Sequence, residues 1–386
     1  MIYRKLGGSG VEISAISFGA MRWPSAEACR DVINRGIDAG MNYVDTSTGY
    51  CNGRSEEWTA EAVRPRRHEI YVSDKTGFGK AAKADEVRQA IDGSLARMGL
   101  EYFDFWQLWG LQRQETLDDA LGKGGWLAGV RKAQKEGLVR HGAGFTFHGP
   151  PELFRAAVDC GEFVSATVSY NLMKRTEEEQ IKYAGEHGVG IIIMNPLAGG
   201  VLGLAGHPAL NFLRGGDAGS PPAGGQVAGR KEDGQGAASY GALRFLLANK
   251  NITAAIVGFR AAAEVDQNLK ALEGADKLDE PFRRGLMAAM DSAKLLEGDF
   301  CTGCGYCKEC PSGVNPHRFM PAMRDFAVYG VEAGRLEDWL WSQYPHSSVT
   351  DDLSKCIECG QCETKCPQHL KIIENIRKGK KALGMG

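Results

Sequence analysis

The chain has 386 residues, of which 43% are hydrophobic and 24% are charged, and its formal net charge at pH 7 is −2. Such a chain can bury a large core and is long enough for one barrel-sized domain and a smaller one. A net charge so close to zero gives no electrostatic reason to expect a nucleic acid or a membrane as partner. Because the first ten residues hold no apolar signal segment and no apolar run is long enough to cross a bilayer, we expect a cytoplasmic protein.

The start of the chain alternates around a glycine turn and predicts a β-hairpin, with Tyr3–Leu6 paired to Val11–Ser14. Beyond it, short apolar strands alternate with helical segments, as parallel βα units do. The eight predicted strands are Ile16–Gly19, Asn42–Asp45, Ile70–Ser73, Phe103–Leu108, His141–Gly144, Val164–Ser169, Gly190–Met194 and Ala254–Val257. Eight such units predict an α/β fold, a closed (β/α)8 TIM barrel with an N-terminal hairpin.

The helical segments carry start and stop signals. Gly99 supplies a left-handed end for a helix whose apolar positions recur at helical spacing, namely Val87, Ile91, Leu95 and Met98. Thr176 and Glu179 have the spacing of a capping box, and Gly188 is expected to end that helix. The segment Arg214–Gly236 is rich in Gly, Ala and Pro, which predicts a mobile loop. This loop is either an active-site lid or a tolerated insertion.

Catalytic residues of such a barrel follow the C-terminal ends of its strands. Asp45 ends the second barrel strand, Tyr50 follows it, and Lys75 follows the third strand. The segments around these residues resemble the Asp, Tyr and Lys segments of the aldo-keto reductase superfamily: Gly-Met-Asn-Tyr-Val-Asp-Thr-Ser-Thr-Gly-Tyr at 40–50, Gly-Arg-Ser-Glu at 53–56 and Ser-Asp-Lys at 73–75.

That resemblance implies roles for four side chains. Carbonyl reduction by hydride leaves an alkoxide, so the site needs a proton donor near the oxygen. Tyr50 is the candidate donor, Lys75 is expected to lower its pKa by stabilising the phenolate, and Asp45 to hold Lys75 charged and oriented. Where the family has a histidine, this sequence has Trp109. An indole cannot shuttle a proton, so Trp109 is expected to orient or pack against a substrate of a shifted class.

The family's nicotinamide contacts are altered. Its amide-clamping Ser-Asn and Gln fall on Thr146-Phe147 and Thr167, and its stacking aromatic falls on Met194. The segments that still resemble the family's pyrophosphate and adenosine contacts contain the candidate cofactor-binding residues Asn195, Pro196, Leu197, Gly199, Gly258, Arg260 and Asn268. Arg260 could meet a 2′-phosphate, although Glu264 stands where the family often has a basic group. NADP(H) or NAD(H) is one candidate cofactor, and a flavin is another.

Eight of the 11 cysteines lie in two runs near the end of the chain, C-x2-C-x2-C-x2-C-P and C-x2-C-x2-C-x3-C-P. In the second spacing, three cysteines hold one 4Fe-4S cluster and the cysteine before proline holds another. Cross-pairing then predicts two ligand sets: Cys301, Cys304, Cys307 and Cys366 for one cluster, and Cys356, Cys359, Cys362 and Cys310 for the other. Zinc is the alternative, but four ligands per ion leave the third cysteine and the Cys-Pro of each run unexplained. Disulfides are less favoured still.

The barrel motifs and both cysteine runs together resemble the aldo-keto reductase branch that carries a C-terminal ferredoxin-like domain. This implies a barrel at residues 1–298 and a small α-helical domain of the bacterial ferredoxin type, with two 4Fe-4S clusters, at residues 299–386. Exposed clusters are oxygen-sensitive, so an anaerobic cell interior is expected. A ferredoxin- or flavodoxin-like electron carrier is a candidate partner.

Three hypotheses follow, because nicotinamide delivers two electrons as a hydride whereas a 4Fe-4S cluster exchanges one. The first is an oxidoreductase that uses NAD(P)H on a small carbonyl, alcohol or enone, with the clusters connecting it to a carrier. The second is a nicotinamide-independent enzyme that passes single electrons from the clusters to a carbonyl, with ketyl-type chemistry assisted by Tyr50 and Lys75. The third is an electron-transfer protein with a catalytically retired barrel.

The position of the clusters can also be predicted. A helical segment, Glu280–Leu296, follows the last barrel helix and spans roughly 25 Å, about the height of a barrel. It would bring the first cysteine run to the strand ends, with at least one cluster on the side of Tyr50. The alternative is a cysteine domain attached to the side of the barrel as an independent module.

Overall fold

The computed structural model describes residues 1–77, 82–203, 213, 239–292, 301, 304–317, 319–320, 323 and 353–385. The chain divides into two compact units, one made mainly of residues up to Ala289 and the other mainly of residues from Met290 onward. The predicted domain boundary at 298/299 and the predicted loop at 214–236 both lie outside the described residues, so both stay predictions.

Eight parallel strands close into a barrel in the first unit. In chain order they are β3 (Ile16–Gly19), β4 (Tyr43–Asp45), β5 (Tyr71–Gly77), β6 (Phe103–Leu111), β7 (Val139–Phe147), β8 (Ser165–Ser169), β9 (Gly190–Met194) and β10 (Ile252–Val257). Each strand pairs with its neighbours in sequence, and β10 pairs with β3 to close the barrel. The predicted (β/α)8 barrel is confirmed.

Helices follow the strands as the βα alternation predicts. They are α1 (Ala26–Asp38), α2 (Ser55–Val63), α3 (Ala84–Met98), α4 (Gln114–Leu121), α5 (Trp126–Lys135), α6 (Pro151–Asp159), α7 (Glu178–Glu186), α8 (Ser239–Leu247), α9 (Ala262–Leu269) and α10 (Glu280–Ser292). The end of α3 at Gly99, with φ of +58°, is confirmed. The predicted capping box is wrong, because α7 begins after Glu177 and the Thr176 hydroxyl donates to the Glu177 carboxylate instead.

The N-terminal hairpin seals one end of the barrel. Strands β1 (Tyr3–Lys5) and β2 (Glu12–Ser14) are antiparallel, as predicted. Apolar side chains of the hairpin form one buried cluster with inward residues of the barrel: Leu6, Val11, Ile13, Tyr43, Phe105, Ile192, Ala254 and Ile256. The turn needs glycine at Gly7, where φ is +52° and a Cβ would lie 2.2 Å from the carbonyl oxygen of Val164. The opposite end, where the strands finish, is left for the site.

The second unit contains helices α11 (Gln361–Thr364) and α12 (Ile372–Ala382). Its buried core combines apolar side chains with cysteines of both runs: Cys301, Cys307, Val314, Phe319, Met320, Met323, Leu353, Cys366, Leu370, Ile372 and Ile376. Cysteines of both runs therefore belong to one shared core. Across the described ranges, no helix has both the length and the apolar character needed to span a membrane.

Candidate active site and candidate cluster cavities

The ends of β4 and β5 bring Asp45 and Lys75 into contact. The Lys75 ammonium donates to Asp45 Oδ1 at 2.5 Å and to the carbonyl oxygen of Thr46 at 2.8 Å. The Asp45 and Lys75 side chains are 2% and 1% exposed. A buried ion pair loses much of its Coulomb energy to desolvation and adds little net stability. Its presence at the strand ends therefore makes this a candidate functional position.

Gln107 completes the hydrogen bonding of this pair. Its amide group donates to Asp45 Oδ2 at 2.5 Å and to Ser73 Oγ at 2.7 Å, and its carbonyl oxygen accepts from Thr167 Oγ1 at 2.8 Å. Both oxygens of Asp45 thus have donors, which holds the carboxylate in one orientation. Gln107 is not among the predicted site residues. Strand alternation could have found it, because it lies two residues before Trp109 and on the same face of β6.

Tyr50 begins a short 3-10 turn, Tyr50–Gly53, directly beyond β4. The Lys75 Nζ atom lies 4.9 Å from the centroid of the Tyr50 ring, and Trp109 packs edge-on against that ring with centroids 5.7 Å apart. The next two residues, Cys51 and Asn52, have left-handed φ angles of 50° and 55°. Such backbone is costly for residues other than glycine and persists where the fold demands it. The four predicted catalytic residues are thereby brought together.

The Tyr50 hydroxyl is a neutral phenol at physiological pH. Burial and the negative charge of Asp45 raise the pKa of Tyr50 well above its ordinary value. The predicted net lowering of this pKa is wrong, because burial and the charge of Asp45 outweigh the Lys75 ammonium, which is itself bonded to Asp45. Tyr50 therefore keeps its proton until a more basic oxygen forms beside it.

A second carboxyl group lies behind Lys75. Burial and the nearby carboxylate of Glu56 raise the pKa of Asp74 well above its ordinary value. The Asp74 carboxyl accepts from the backbone N–H of Lys75 at 2.8 Å, and Glu56 is bonded to Arg97. Successive side chains of a strand point to opposite faces, so Asp74 stays outside the barrel interior. Asp45 is the carboxylate that pairs with the Lys75 ammonium.

His148 is a further polar group at this end of the barrel. It directly follows β7, and its backbone N–H donates to the carbonyl oxygen of Leu111 at 3.0 Å. Burial and the positive charge of Lys174 lower the pKa of His148 to about 3. A neutral imidazole both donates and accepts protons, which Trp109 cannot do. His148 is not a predicted site residue; its position immediately after a strand end is the signal that could have found it.

The positions that clamp nicotinamide in the family have other partners here. Thr146 Oγ1 accepts from the backbone N–H of Gly110 at 2.7 Å, and Thr167 donates to Gln107. Phe147 is 3% exposed and packs edge-on against Phe154, with ring centroids 5.0 Å apart. The side chains of all three residues therefore contact other residues of the barrel.

Most of the remaining predicted cofactor-binding residues follow the ends of β9 and β10, which are neighbouring strands. The chain beyond β9 is a tight turn with positive φ at Asn195, Ala198, Gly199 and Gly200, and it also contains Pro196 and Leu197. Beyond β10, Gly258 precedes Arg260, whose Nε donates to the Glu264 carboxylate at 3.1 Å. Asn268 lies in α9 and is 5% exposed. The Glu264 carboxylate thus already neutralises the charge of Arg260.

In the described part of the second unit, two cavities are each lined by four cysteines. The first is lined by Cys301, Cys304, Cys307 and Cys366, and the second by Cys310, Cys356, Cys359 and Cys362. Each cavity therefore gathers one of the two predicted ligand sets, including the cysteine that crosses over from the other run. Their role as ligands stays a prediction.

The cavities suit a cluster better than a single ion. A 4Fe-4S cluster needs four thiolates around a space, whereas zinc draws four ligands to one point. The donor set and its spacing fit the iron–sulfur interpretation.

A parallel barrel with an Asp–Lys–Tyr site at its strand ends, joined to a unit with two four-cysteine cavities, defines a barrel oxidoreductase with an iron–sulfur unit. Comparison with known families agrees. Residues 15–282 match the model of the aldo/keto reductase family, and residues 300–371 match that of a 4Fe-4S dicluster domain. The chain belongs to the aldo/keto reductase family.

The individual relatives described next are less than 30% identical to this chain. An uncharacterized oxidoreductase, YqkF, of Bacillus subtilis (strain 168) is 27% identical over 52% of this chain and 66% of its own length. L-galactose dehydrogenase of Arabidopsis thaliana is 28% identical over 76% of this chain and 95% of its own length. These names place the chain among oxidoreductases.

Solved structures show the same fold. The holo form of an aldo-keto reductase from Bacillus halodurans has a TM-score of 0.61 and 22% identity, covering 75% of this chain and 96% of its own. An aldo/keto reductase from Klebsiella pneumoniae in complex with NADP and acetate has a TM-score of 0.53 and 22% identity, covering 70% of this chain and 93% of its own.

Proposed function

We propose that this protein is an oxidoreductase that interconverts a small carbonyl compound, or an enone, and its reduced form at the open end of the barrel. The observation that carries this proposal is the buried Asp45–Lys75 pair, whose ammonium lies against the Tyr50 ring, in a chain that also holds two four-cysteine cavities. Two 4Fe-4S clusters held by the eight cysteines would supply or accept single electrons when bound.

The proton chemistry falls to Tyr50. A substrate oxygen beside its hydroxyl is hydrogen-bonded while uncharged and takes the proton once negative charge develops on it. The resulting phenolate is then stabilised by the Lys75 ammonium, which Asp45 and Gln107 keep in place. Trp109 covers one side of Tyr50 and limits access of water to the transfer.

A second candidate function is nicotinamide-independent reduction, in which the carbonyl accepts electrons one at a time. It is favoured by the internal partners of Thr146, Phe147 and Thr167 and by the pairing of Arg260 with Glu264. In this case Tyr50 protonates the oxygen of a ketyl radical anion, and the same four side chains act. The two candidates differ in how the carbon is reduced: the first delivers a hydride, and the second delivers a second electron together with a proton taken from solvent.

The test begins with anaerobically purified protein whose iron and sulfide content and thiolate-to-iron absorbance have been measured. NADPH and NADH are then titrated by fluorescence, and aldehydes, ketones and enones are assayed with either nicotinamide or reduced methyl viologen as reductant. Turnover with nicotinamide supports the first candidate, and turnover with viologen alone supports the second. Absence of turnover with both reductants across the panel would refute the proposal and favour the third hypothesis, an electron-transfer protein whose barrel has no catalytic activity.

A further inference from the structure

The two cysteine cavities differ in their access to solvent. In the first, Cys301, Cys307 and Cys366 are only 7%, 9% and 8% exposed. In the second, none of the four cysteines is buried, and Cys359 is exposed. Electron transfer between proteins requires a short path from the redox group to the surface. The second cavity is therefore the one that a partner protein can approach.

An apolar side chain stands at the mouth of the second cavity. Ile357 is 67% exposed, the largest exposure of any large hydrophobic side chain in the described part of the chain. It lies between Cys356 and Cys359 and lines that cavity. The next residue, Glu358, has a left-handed φ of 57°, so the loop curls tightly here. A large, solvent-exposed apolar side chain beside a redox site is typical of the centre of a small protein–protein interface.

Positive charge surrounds this loop. Helix α12 packs on the same cavity through Ile373 and Ile376. From its outer side, Arg377 donates to Glu358 at 2.9 Å, which neutralises that carboxylate, and Lys380 lies close enough to act on it electrostatically. Residues 353–385 contain seven lysines and arginines and three glutamates, a net charge of +4, whereas the whole chain has −2.

We infer that the surface formed by Lys355, Ile357, Cys359, Arg377 and Lys380, here called the cysteine-loop surface, docks a small acidic electron-carrier protein. The inference rests on the proposed function and names its electron-exchange site. Each encounter transfers one electron, which oxidises the carrier and reduces the site lined by Cys310, Cys356, Cys359 and Cys362. No bond is formed and no proton moves; the reverse direction has the same balance.

The chemistry of this surface specifies its occupant. One apolar contact ringed by cations matches an acidic partner with a small apolar patch beside its own redox group. Transient redox complexes bury little surface, below about 1,200 Å², and depend on charge for their rate of association. Binding should therefore weaken steeply as ionic strength rises, because exposed charges are screened over about 10 Å at 0.1 M salt.

The test uses the full chain with its clusters assembled. The probe is a small acidic 2Fe-2S ferredoxin in which gallium replaces iron, so that binding is measured without electron transfer, by NMR titration of the probe at low and high ionic strength. A small basic carrier, cytochrome c, is the matched probe of opposite charge. The variants are Ile357→Asp and Lys380→Glu, with Lys182→Glu, an exposed lysine of α7, as the control of equal charge change.

We expect the acidic probe to bind at low ionic strength and cytochrome c not to bind. Ile357→Asp should raise the Kd at least about tenfold and Lys380→Glu about threefold to tenfold, whereas Lys182→Glu should leave it unchanged. Iron content, and the EPR spectrum after reduction by dithionite, should be the same in all variants. These controls separate loss of docking from loss of the clusters.

Equal affinity in Lys380→Glu and Lys182→Glu, or binding of the wild type that salt does not weaken, would overturn the inference. So would a Lys380→Glu variant whose midpoint potential shifts while probe binding stays the same, since the basic rim would then serve only to balance cluster charge. Failure of substrate turnover with intact docking counts against the proposed function alone. Turnover on viologen without docking of the acidic probe counts against this inference alone.

Discussion

The two sides of the open end of the barrel differ in how their charged groups are buried and paired. On the side of β4 to β6, the charged groups are buried and bonded to one another, and Tyr50, Lys75 and Trp109 converge. On the side of β9 and β10, Arg260 is 79% exposed and paired with Glu264. The side chains predicted to transfer protons are thus held by specific buried contacts, whereas the side predicted to bind a cofactor presents an exposed ion pair. The difference teaches that the two predicted functions of this barrel rest on separate groups of residues.

The largest expected effect is that of Tyr50→Phe, on the side of β4 to β6. Removing one hydroxyl from the Tyr50 ring eliminates the proton donor without opening the core, so turnover should fall about 10²–10⁴-fold. Steady-state kinetics under anaerobic conditions, with iron content and circular dichroism as controls, measure this. A variant that keeps a near-normal rate would remove Tyr50 from the mechanism.

Breaking the buried ion pair comes next. Lys75→Met leaves the Asp45 carboxylate uncompensated, which typically costs about 3–5 kcal/mol of stability. The double variant Lys75→Met with Asp45→Asn should be less destabilised than Lys75→Met alone, because no buried charge remains. Urea unfolding monitored by tryptophan fluorescence tests this order. If the single variant is as stable as the wild type, the pair is not buried in solution.

The variant Trp109→His tests whether the tryptophan at this position, where the family has a histidine, determines the substrate class. If nicotinamide binds, the introduced imidazole restores the family's arrangement, and reduction of simple aldehydes should rise about tenfold or more. Trp109→Phe is the matched control, since it keeps an aromatic ring without a proton carrier. No gain in the histidine variant would assign the difference from the family to the electron source.

On the β9–β10 side, Glu264→Gln frees Arg260 from its ion pair. Exposed pairs are worth about 0.2–1 kcal/mol, so affinity for NADPH should rise about twofold to fivefold, with no change for NADH. Fluorescence titration with both nucleotides measures this. Absence of NADPH binding in both wild type and variant would show that this side no longer serves a nicotinamide.

A pH dependence of stability is expected from His148, which lies between the two sides. Its pKa of about 3 is below the ordinary value, so the unfolded chain binds a proton that the folded chain does not. Stability should therefore decrease as pH falls below about 6.5, until the folded pKa is reached. NMR of labelled histidines should show one signal that does not titrate between about pH 7 and pH 5 and that is lost in His148→Gln.

The fold could be predicted well because a closed parallel barrel imposes apolar runs at regular intervals. The predicted strands end too early where the site begins: β5 continues through Asp74 and Lys75 to Gly77, since polar residues of the barrel interior break the apolar pattern. Asp45, Tyr50 and Lys75 could be predicted as site residues from their positions at strand ends. The direction of the Tyr50 pKa shift could not, because it depends on how deeply the hydroxyl is buried and on how close the Asp45 carboxylate lies.

The cysteine spacing predicted both ligand sets, and each set lines one cavity. The spacing could not indicate which set lies nearer the solvent, because exposure is fixed by the surrounding side chains. The predicted helix Glu280–Leu296 appears as Glu280–Ser292, and residues 293–296 lie outside the described ranges. The predicted position of a cluster on the side of Tyr50 stays a prediction.

The contact that ties the hairpin to the barrel has a consequence for the order of events during synthesis. The Arg4 guanidinium donates to carbonyl oxygens of Leu247 and Ile252, and β10 then closes the barrel against β3. Ile252 precedes Cys301 by 49 residues. Chains fold domain by domain from the N-terminus as they emerge from the ribosome. The barrel can therefore close before the first of the predicted ligand cysteines has left the ribosome, so assembly of a cluster at these residues need not compete with folding of the barrel.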